Sequence, residues 1–160
     1  MKGDMKSDII INDKTIECYD FTVKIHRMNT DTVFPTKATD NDLGLDLYAD
    51  EVVLFRPGDI KLVSTGIRFE FPERWGGLLK DRSSVASKKH LFVHAGVIDP
   101  GYRGEVKVLF HNAGRENRIL YRGDKITQLV FTYSPKVFLV EDTELNETDR
   151  GDKGFGSSGN

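Results

Sequence analysis

The stretch "VHAGVIDPGYRGEVKVLFH", residues 93–111, reads as two strands around one turn. An apolar run ends at Asp99, Pro100 and Gly101 turn the chain, and a second strand begins near Gly104. Val106, Val108 and Phe110 then alternate with Glu105 and Lys107. A period of two puts one face of a strand into a core, and a helix does not have that period. Asp99 sits where strand meets turn, so its carboxylate is held stiffly at the mouth of any pocket that the hairpin borders. A carboxylate so held can orient a water and take its proton. Asp before Pro-Gly is also a good turn former, and this segment leaves both readings open.

The same grammar runs through the chain. "FTVKIHRM" (21–28) alternates Phe21, Val23 and Ile25 with Thr22, Lys24 and His26. Short apolar segments at 44–48, 52–55, 60–63, 67–71, 77–80, 91–98, 117–121, 126–132 and 136–140 read as further strands. Turn-forming clusters separate them, among them "RPGD", "FPERWGG", "NAGREN" and "YRGD". Many short strands at this spacing predict an all-β barrel or sandwich over residues 21–140. One segment differs: "SSVASKKH" (83–90) predicts two turns of helix with Ser83 or Ser84 as N-cap. Residues 1–20 read as an N-terminal arm of unknown role, or an edge strand around Asp8–Asn12. Residues 141–160 read as a mobile, Gly-rich tail.

Composition bounds the function. The chain has 160 residues, enough for one domain with a core, and a net charge of -2. That balance gives no broad basic footprint for a nucleic acid, although a local cluster of cations remains able to grip a small phosphorylated ligand. Cys18 is the one cysteine, so no internal disulfide forms. No apolar run has the length of a membrane span. A cytoplasmic location is expected.

Four other stretches carry chemistry. In "LLKDRSSVASKKH" (78–90), Arg82, Ser83 and Ser84 precede a predicted helix, whose N-terminus would offer free N–H groups to phosphate oxygens. A solvated surface cap reads equally from those residues. "KATDNDLGLDLYAD" (37–50) holds four aspartates, but their spacing is not that of a calcium loop. Asp46 interrupts a strand and is expected to pair with a cation from elsewhere. "YRGDKITQLVF" (121–131) is a turn and then a strand bearing Gln128. In "RGDKGFGSSGN" (150–160), glycines let backbone wrap a phosphate, Arg150 brings charge and Phe155 a flat face for a base. A flexible linker explains that tail as well, and it lacks the ending of a P-loop.

Together, and in this order, the stretches resemble the five motifs of the trimeric dUTP pyrophosphatase (dUTPase) family: "LGLDLYA" (43–49), "DRSSVASKKHL" (81–91), "AGVIDPGYRGEV" (95–106), "RGDKITQLVF" (122–131) and "RGDKGFGSSG" (150–159). The resemblance implies a β-barrel-like jelly roll, a barrel or sandwich that assembles as a homotrimer with active sites shared between subunits. It also implies Mg²⁺-assisted hydrolysis of dUTP to dUMP and pyrophosphate, which keeps uracil out of DNA and supplies dUMP for dTMP synthesis. By position, Asp99 would activate the attacking water and Tyr102 would pack under the deoxyribose. Gly96, Val97, Ile98 and Lys107 would read the uracil from the hairpin. Arg82, Ser83, Ser84 and Gln128 would hold phosphates. Arg150, Phe155, Gly156, Ser157 and Ser158 would close over the nucleotide. Mg²⁺ would be held by phosphates and water. Departures from the pattern are "NDLGLDLYA" in the first motif, Lys80–Asp81 before Arg82, and Ser158 where Thr is usual. The related dCTP deaminase shares an "AGxIDPG"-like hairpin but relies on a Glu at the position of Leu109. A dUTP-binding regulatory module of the same fold, with an unknown protein partner, is the other alternative.

Overall fold

A computed structural model describes residues 21–149 and Gly151 in full, and the backbone of residues 6–11 and 14–19. Twelve strands are formed among them: β1 Lys6–Ile11, β2 Lys14–Tyr19, β3 Lys24–Arg27, β4 Gly44–Tyr48, β5 Val53–Phe55, β6 Ile60–Glu70, β7 Trp75–Asp81, β8 Leu91–His94, β9 Val97–Ile98, β10 Glu105–Asn112, β11 Arg118–Leu120 and β12 Lys125–Tyr133. Two four-stranded sheets dominate, ordered β3-β6-β10-β8 and β4-β12-β7-β9, and every pairing is antiparallel. β5 pairs with β11, and β1 with β2.

The expected alternation is what closes the sheets on each other. Val106, Val108 and Phe110 of β10 are buried, as are Val63, Ile67 and Phe69 of β6. From the opposite sheet, Leu47, Leu79, Ile126 and Leu129 join the same cluster. Phe55 and Phe110 meet edge to face at 6.3 Å, and Phe71 meets Phe131 the same way at 6.1 Å. This is the jelly-roll-like β fold that the sequence predicts. Among the described residues, no helix is long and apolar enough to cross a membrane.

Four local expectations change. The strands read at 60–63 and 67–71 are one long strand, β6, carrying a bulge: Glu105 faces Arg68 while Lys107 faces Ser64. Gly66 supplies the bulge with a φ of 65°, and a Cβ there would sit 2.6 Å from the Asp50 carboxylate and from the Thr32 hydroxyl. The run 91–98 breaks into β8 and β9 because Ala95 (φ 59°) and Gly96 (φ 101°) turn left-handed between them. The helix expected over 83–90 is a single wide turn, Val85–Lys89, stopped by His90 at φ 53°. Val85 is the buried anchor of that turn, and Ser84 stands at its N-cap without a side-chain hydrogen bond. Residues 136–140 form no strand. Val137, Phe138, Leu139 and Val140 are strand formers, but no ladder partner meets them among the described residues and their side chains are exposed.

The edge strand expected near Asp8–Asn12 is a hairpin arm, β1 paired with β2 from Lys6↔Tyr19 to Ile11↔Lys14. Asp42 closes the unusual turn before β4: its carboxylate accepts the Thr39 hydroxyl at 2.7 Å and the Ala38 and Thr39 backbone N–H groups. The Thr39 hydroxyl and the Thr39 N–H hold that carboxyl below the usual aspartate range.

Phe110 fills the centre of this sandwich with no exposed surface. Phe110→Ala is expected to lower unfolding free energy by about 3–5 kcal/mol. In guanidinium titrations the midpoint falls while the slope holds; a loss below about 1 kcal/mol would mean that the two sheets do not close over this ring.

Candidate active site

The hairpin borders a cleft of about 560 Å³. Gly96, Val97, Ile98, Asp99, Tyr102 and Lys107 all line it, so one cleft gathers every hairpin residue that the sequence singles out. Its architecture follows from short-range geometry. Gly96 accepts the Leu79 N–H at 2.8 Å, and a Cβ on it would meet Leu79 at 3.0 Å. β9 then pairs Val97 with Leu78 and Ile98 with Gly77. The turn closes with Tyr102 N–H donating to the Asp99 carbonyl at 3.0 Å. Arg103 pins it from outside by donating to the Pro100 carbonyl at 2.8 Å.

Two further contacts fix the returning arm. The Tyr102 hydroxyl donates to the Glu105 carbonyl at 2.9 Å, which lays the ring along the hairpin. Gly104 makes room for it, since a Cβ there would overlap the ring. The Glu105 carboxylate accepts the Ser64 hydroxyl and, at 2.9 Å, the Gly66 N–H. It also lies 3.5 Å from the Lys107 ammonium. Asp99 differs: it is exposed, and its carboxylate makes no hydrogen bond among the described residues.

Arg82, Ser83, Ser84 and Gln128 do not line this cleft. Arg82 and Gln128 gather instead around Asp46, which is 4% exposed. Lys125 Nζ lies 2.8 Å from Asp46 Oδ2, and Arg82 Nε lies 2.9 Å from Oδ1. Gln128 Nε2 donates to Oδ1 at 3.3 Å. The Arg82 contact is ionic, since its buried Nε has no aligned acceptor among the described residues. Asp46 therefore pairs with two cations, as its place inside a strand predicts. Its hydrogen bond holds the Lys125 ammonium above the usual lysine range.

Ser83 and Ser84 are exposed just after Arg82. The helix dipole expected beside them is absent, because a five-residue turn aligns too few peptides. Asp81 does not oppose Arg82 from within the site: its carboxylate is spent on the Val93 N–H at 2.6 Å, tying β7 to β8. Arg150, Phe155, Gly156, Ser157 and Ser158 lie outside the described residues.

Met28, Leu62, Arg68 and His94 line the cleft and have no signal in the sequence. Met28, Leu62 and Arg68 are distant from the hairpin in the chain, and the pairing of β6 with β3 and β10 brings them there, whereas His94 ends β8 just before the hairpin. Leu109 also lines the cleft, with no group able to move a proton.

An all-β sandwich that holds one free carboxylate on a turn, with arginine and exposed hydroxyls at the far end of the adjoining strand, is of the class that handles anionic ligands without a protein-built metal cluster. Similarity to known proteins gives the family. A family model described as dUTPase matches residues 30–159. The deoxyuridine 5'-triphosphate nucleotidohydrolase of Clostridium kluyveri is 39% identical over 137 residues, covering 84% of this chain and 96% of its own. That of a Hydrogenobaculum species is 41% identical over 138 residues, covering 84% and 96%. The dUTPase of Staphylococcus bacteriophage 80alpha, as a G164S mutant with dUpNHpp, superposes with a TM-score of 0.81 at 26% identity, covering 86% of this chain and 98% of its own. The chain belongs to the dUTPase family.

The seat of the hairpin depends on Gly76, where a Cβ would fall 2.6 Å from the Ile98 carbonyl oxygen and 3.5 Å from Pro100. Gly76→Ala is expected to lift β9 off β7, lowering stability by about 1–3 kcal/mol. Amide chemical shifts should change at 97–102 and stay put in β10 and β6. Unchanged shifts at 97–102 would show that β9 is not seated against Gly76.

Proposed function

We propose that this chain hydrolyses dUTP to dUMP and pyrophosphate, with Asp99 as the general base. The observation that carries this reading is the Asp99 carboxylate, exposed in the hairpin cleft and free of internal partners, in a chain of this family. Asp99 orients a water against the α-phosphorus and accepts its proton. The new bond joins the water oxygen to the α-phosphorus. The bond to the α–β bridging oxygen breaks, and pyrophosphate leaves with that electron pair. Tyr102, held flat by Glu105, supports the sugar, and the 96–98 backbone with Lys107 reads the base. A narrow hairpin slot rejects bulk on the base by contact.

Arg82, Ser83, Ser84 and Gln128 bind phosphate oxygens, and their distance from Asp99 in one chain supports a shared site. Ile98 pairs with Gly77, five residues before Arg82 on β7. At about 3.3 Å per residue the two ends are roughly 16 Å apart along one strand. One chain thus holds the general base and the phosphate grip at separate places, and a complete site draws them from different copies. This favours the homotrimer with shared sites. Ile60, Leu62 and Phe92 are exposed on the outer face of the β6-β10-β8 sheet and offer an apolar surface for such contacts. Arg150, Phe155, Gly156, Ser157 and Ser158 close over a bound nucleotide as the tail orders.

A Mg²⁺ fits this donor set. No group of three or more His, Cys, Asp or Glu is arranged for a metal among the described residues. Mg²⁺ prefers oxygen, keeps several waters and is commonly held through substrate phosphates, so the triphosphate would carry it, with Asp99 the nearest protein carboxylate to the chemistry. The ion would neutralise phosphate charge. Cytoplasmic location fits a substrate of nucleotide pools.

Incubation with dUTP, dCTP and dTTP plus Mg²⁺ tests the reading. Pyrophosphate is expected from dUTP alone. A uracil nucleotide formed from dCTP would make the chain a deaminase, a reading that Leu109 opposes. Binding of dUTP without turnover would leave a binding module. Asp99→Asn is expected to hold a non-hydrolysable dUTP analogue within a few-fold of the parent while kcat drops by about 10²-fold or more; retained turnover would remove Asp99 as base. Removal of residues 150–160 is expected to leave the β-domain folded and its turnover crippled, whereas full activity would make the tail a linker.

A further inference from the structure

We infer that Lys125 is a positioning residue for the phosphate grip: by holding one oxygen of Asp46, it confines Asp46 to the Nε side of Arg82 and leaves the two Nη nitrogens for phosphate. The inference rests on the proposed phosphate role of Arg82. It begins with a bulge in β12. Lys125 faces Tyr48 across the sheet and Thr127 faces Leu47, so one extra residue lies between them. In an unbroken strand Lys125 and Gln128, three apart, would point to opposite faces. The bulge re-aims one of them, and both meet Asp46. Gln128 Nε2 donates to Oδ1 at 3.3 Å and Lys125 Nζ to Oδ2 at 2.8 Å, while Ile126 and Thr127 between them are buried.

Both partners of this contact are fixed. The Asp46 N–H donates to the Thr36 carbonyl at 2.7 Å, and the Thr36 N–H donates to the Asp46 carbonyl at 3.2 Å. The Lys125 ammonium lies 5.8 Å from the centre of the Tyr48 ring, an attractive place for a cation. The Tyr48 and Thr36 hydroxyls share a hydrogen bond of 2.6 Å, which ties that ring to the same segment that holds the Asp46 backbone.

Arginine chemistry gives the contact its consequence. A carboxylate and a guanidinium pair most strongly through two parallel bonds. Such a fork would take both Asp46 oxygens and draw in one Nη of Arg82. Instead the contact runs from Nε to Oδ1 at 2.9 Å, and Lys125 occupies Oδ2. Neither Nη donates a hydrogen bond among the described residues, so the end of the guanidinium keeps its donors for phosphate oxygens. Lysine suits this task because it is a point charge that holds one oxygen without a fork of its own. Without it, a nearly buried carboxylate with an open oxygen would turn to the guanidinium already beside it, and the fork would form at the expense of the phosphate.

Binding of a non-hydrolysable dUTP analogue, turnover of dUTP and crystal structures of the full-length chain test this. Lys125→Met is expected to raise Kd for the analogue and KM for dUTP about ten-fold, with a smaller change in kcat. Lys125→Arg, which can still bond Oδ2, should stay within about three-fold of the parent. In the Asp46→Asn background there is no carboxylate for Lys125 to hold, so Lys125→Met should weaken binding no further. A crystal structure of Lys125→Met should show Asp46 bonded to Arg82 through both Nε and an Nη. Lys125→Gln, whose amide stops a bond short of Oδ2, gives the same readings should the Met variant not fold. Parental affinity in these two variants, an equal loss on top of Asp46→Asn, or an unchanged Asp46–Arg82 contact in the crystal would each overturn the inference. Failure of the parent chain to hydrolyse dUTP would strike the proposed function instead, and analogue affinity and the crystal contact would still decide the role of Lys125.

Discussion

The Glu105 carboxylate holds the hairpin to the sandwich. Its oxygens take the Gly66 N–H and the Ser64 hydroxyl, both at the bulge of β6, and it lies beside the Lys107 ammonium. A bulge leaves a backbone donor outside the ladder, and a donor without a partner is costly when desolvated. Glu105 satisfies it from across the sheet. The same residue's carbonyl accepts the Tyr102 hydroxyl. One side chain and its own peptide thus set β10 against β6, and the Tyr102 ring against the turn that carries Asp99.

Asp46 does the equivalent for the other sheet. It is nearly buried within β4, and an unpaired charge there would be strongly unfavourable. Arg82 at the end of β7 and Lys125 at the start of β12 meet it from two directions. Because Asp46 draws Arg82 to one end of β7 while β9 seats Asp99 near the other, the two side chains are kept apart in a single chain. Under the proposed function, that separation would make activity depend on assembly, with one copy presenting its hairpin to the cations of another.

Much of this was legible in residue order. Alternation of Val106, Val108 and Phe110 marked the core face of β10, and Asp99-Pro100-Gly101 marked the turn. Asp46 was expected to find a cation because a carboxylate inside a strand needs one. The errors have physical causes. Gly66 reads as a strand break because its preference for positive φ signals a turn, yet here it makes a bulge inside continuous pairing. Residues 136–140 read as a strand because Val, Phe, Leu and Val favour one, yet a strand exists only with a neighbour to bond. Ser83–His90 has helix-compatible residues, but His90 in a left-handed conformation stops it after one turn. Arg68 and Leu62 of the cleft had no local signal at all, since they meet the hairpin only across the sheet.

By itself the sequence determined the fold class, the hairpin and the identity of the carboxylate at its bend, because side-chain period and turn chemistry are properties of adjacent residues. Only the tertiary structure decided which groups share a cleft and that Arg82 lies outside it, beside Asp46. Those facts depend on strand register, and register is set by contacts between residues far apart in the chain.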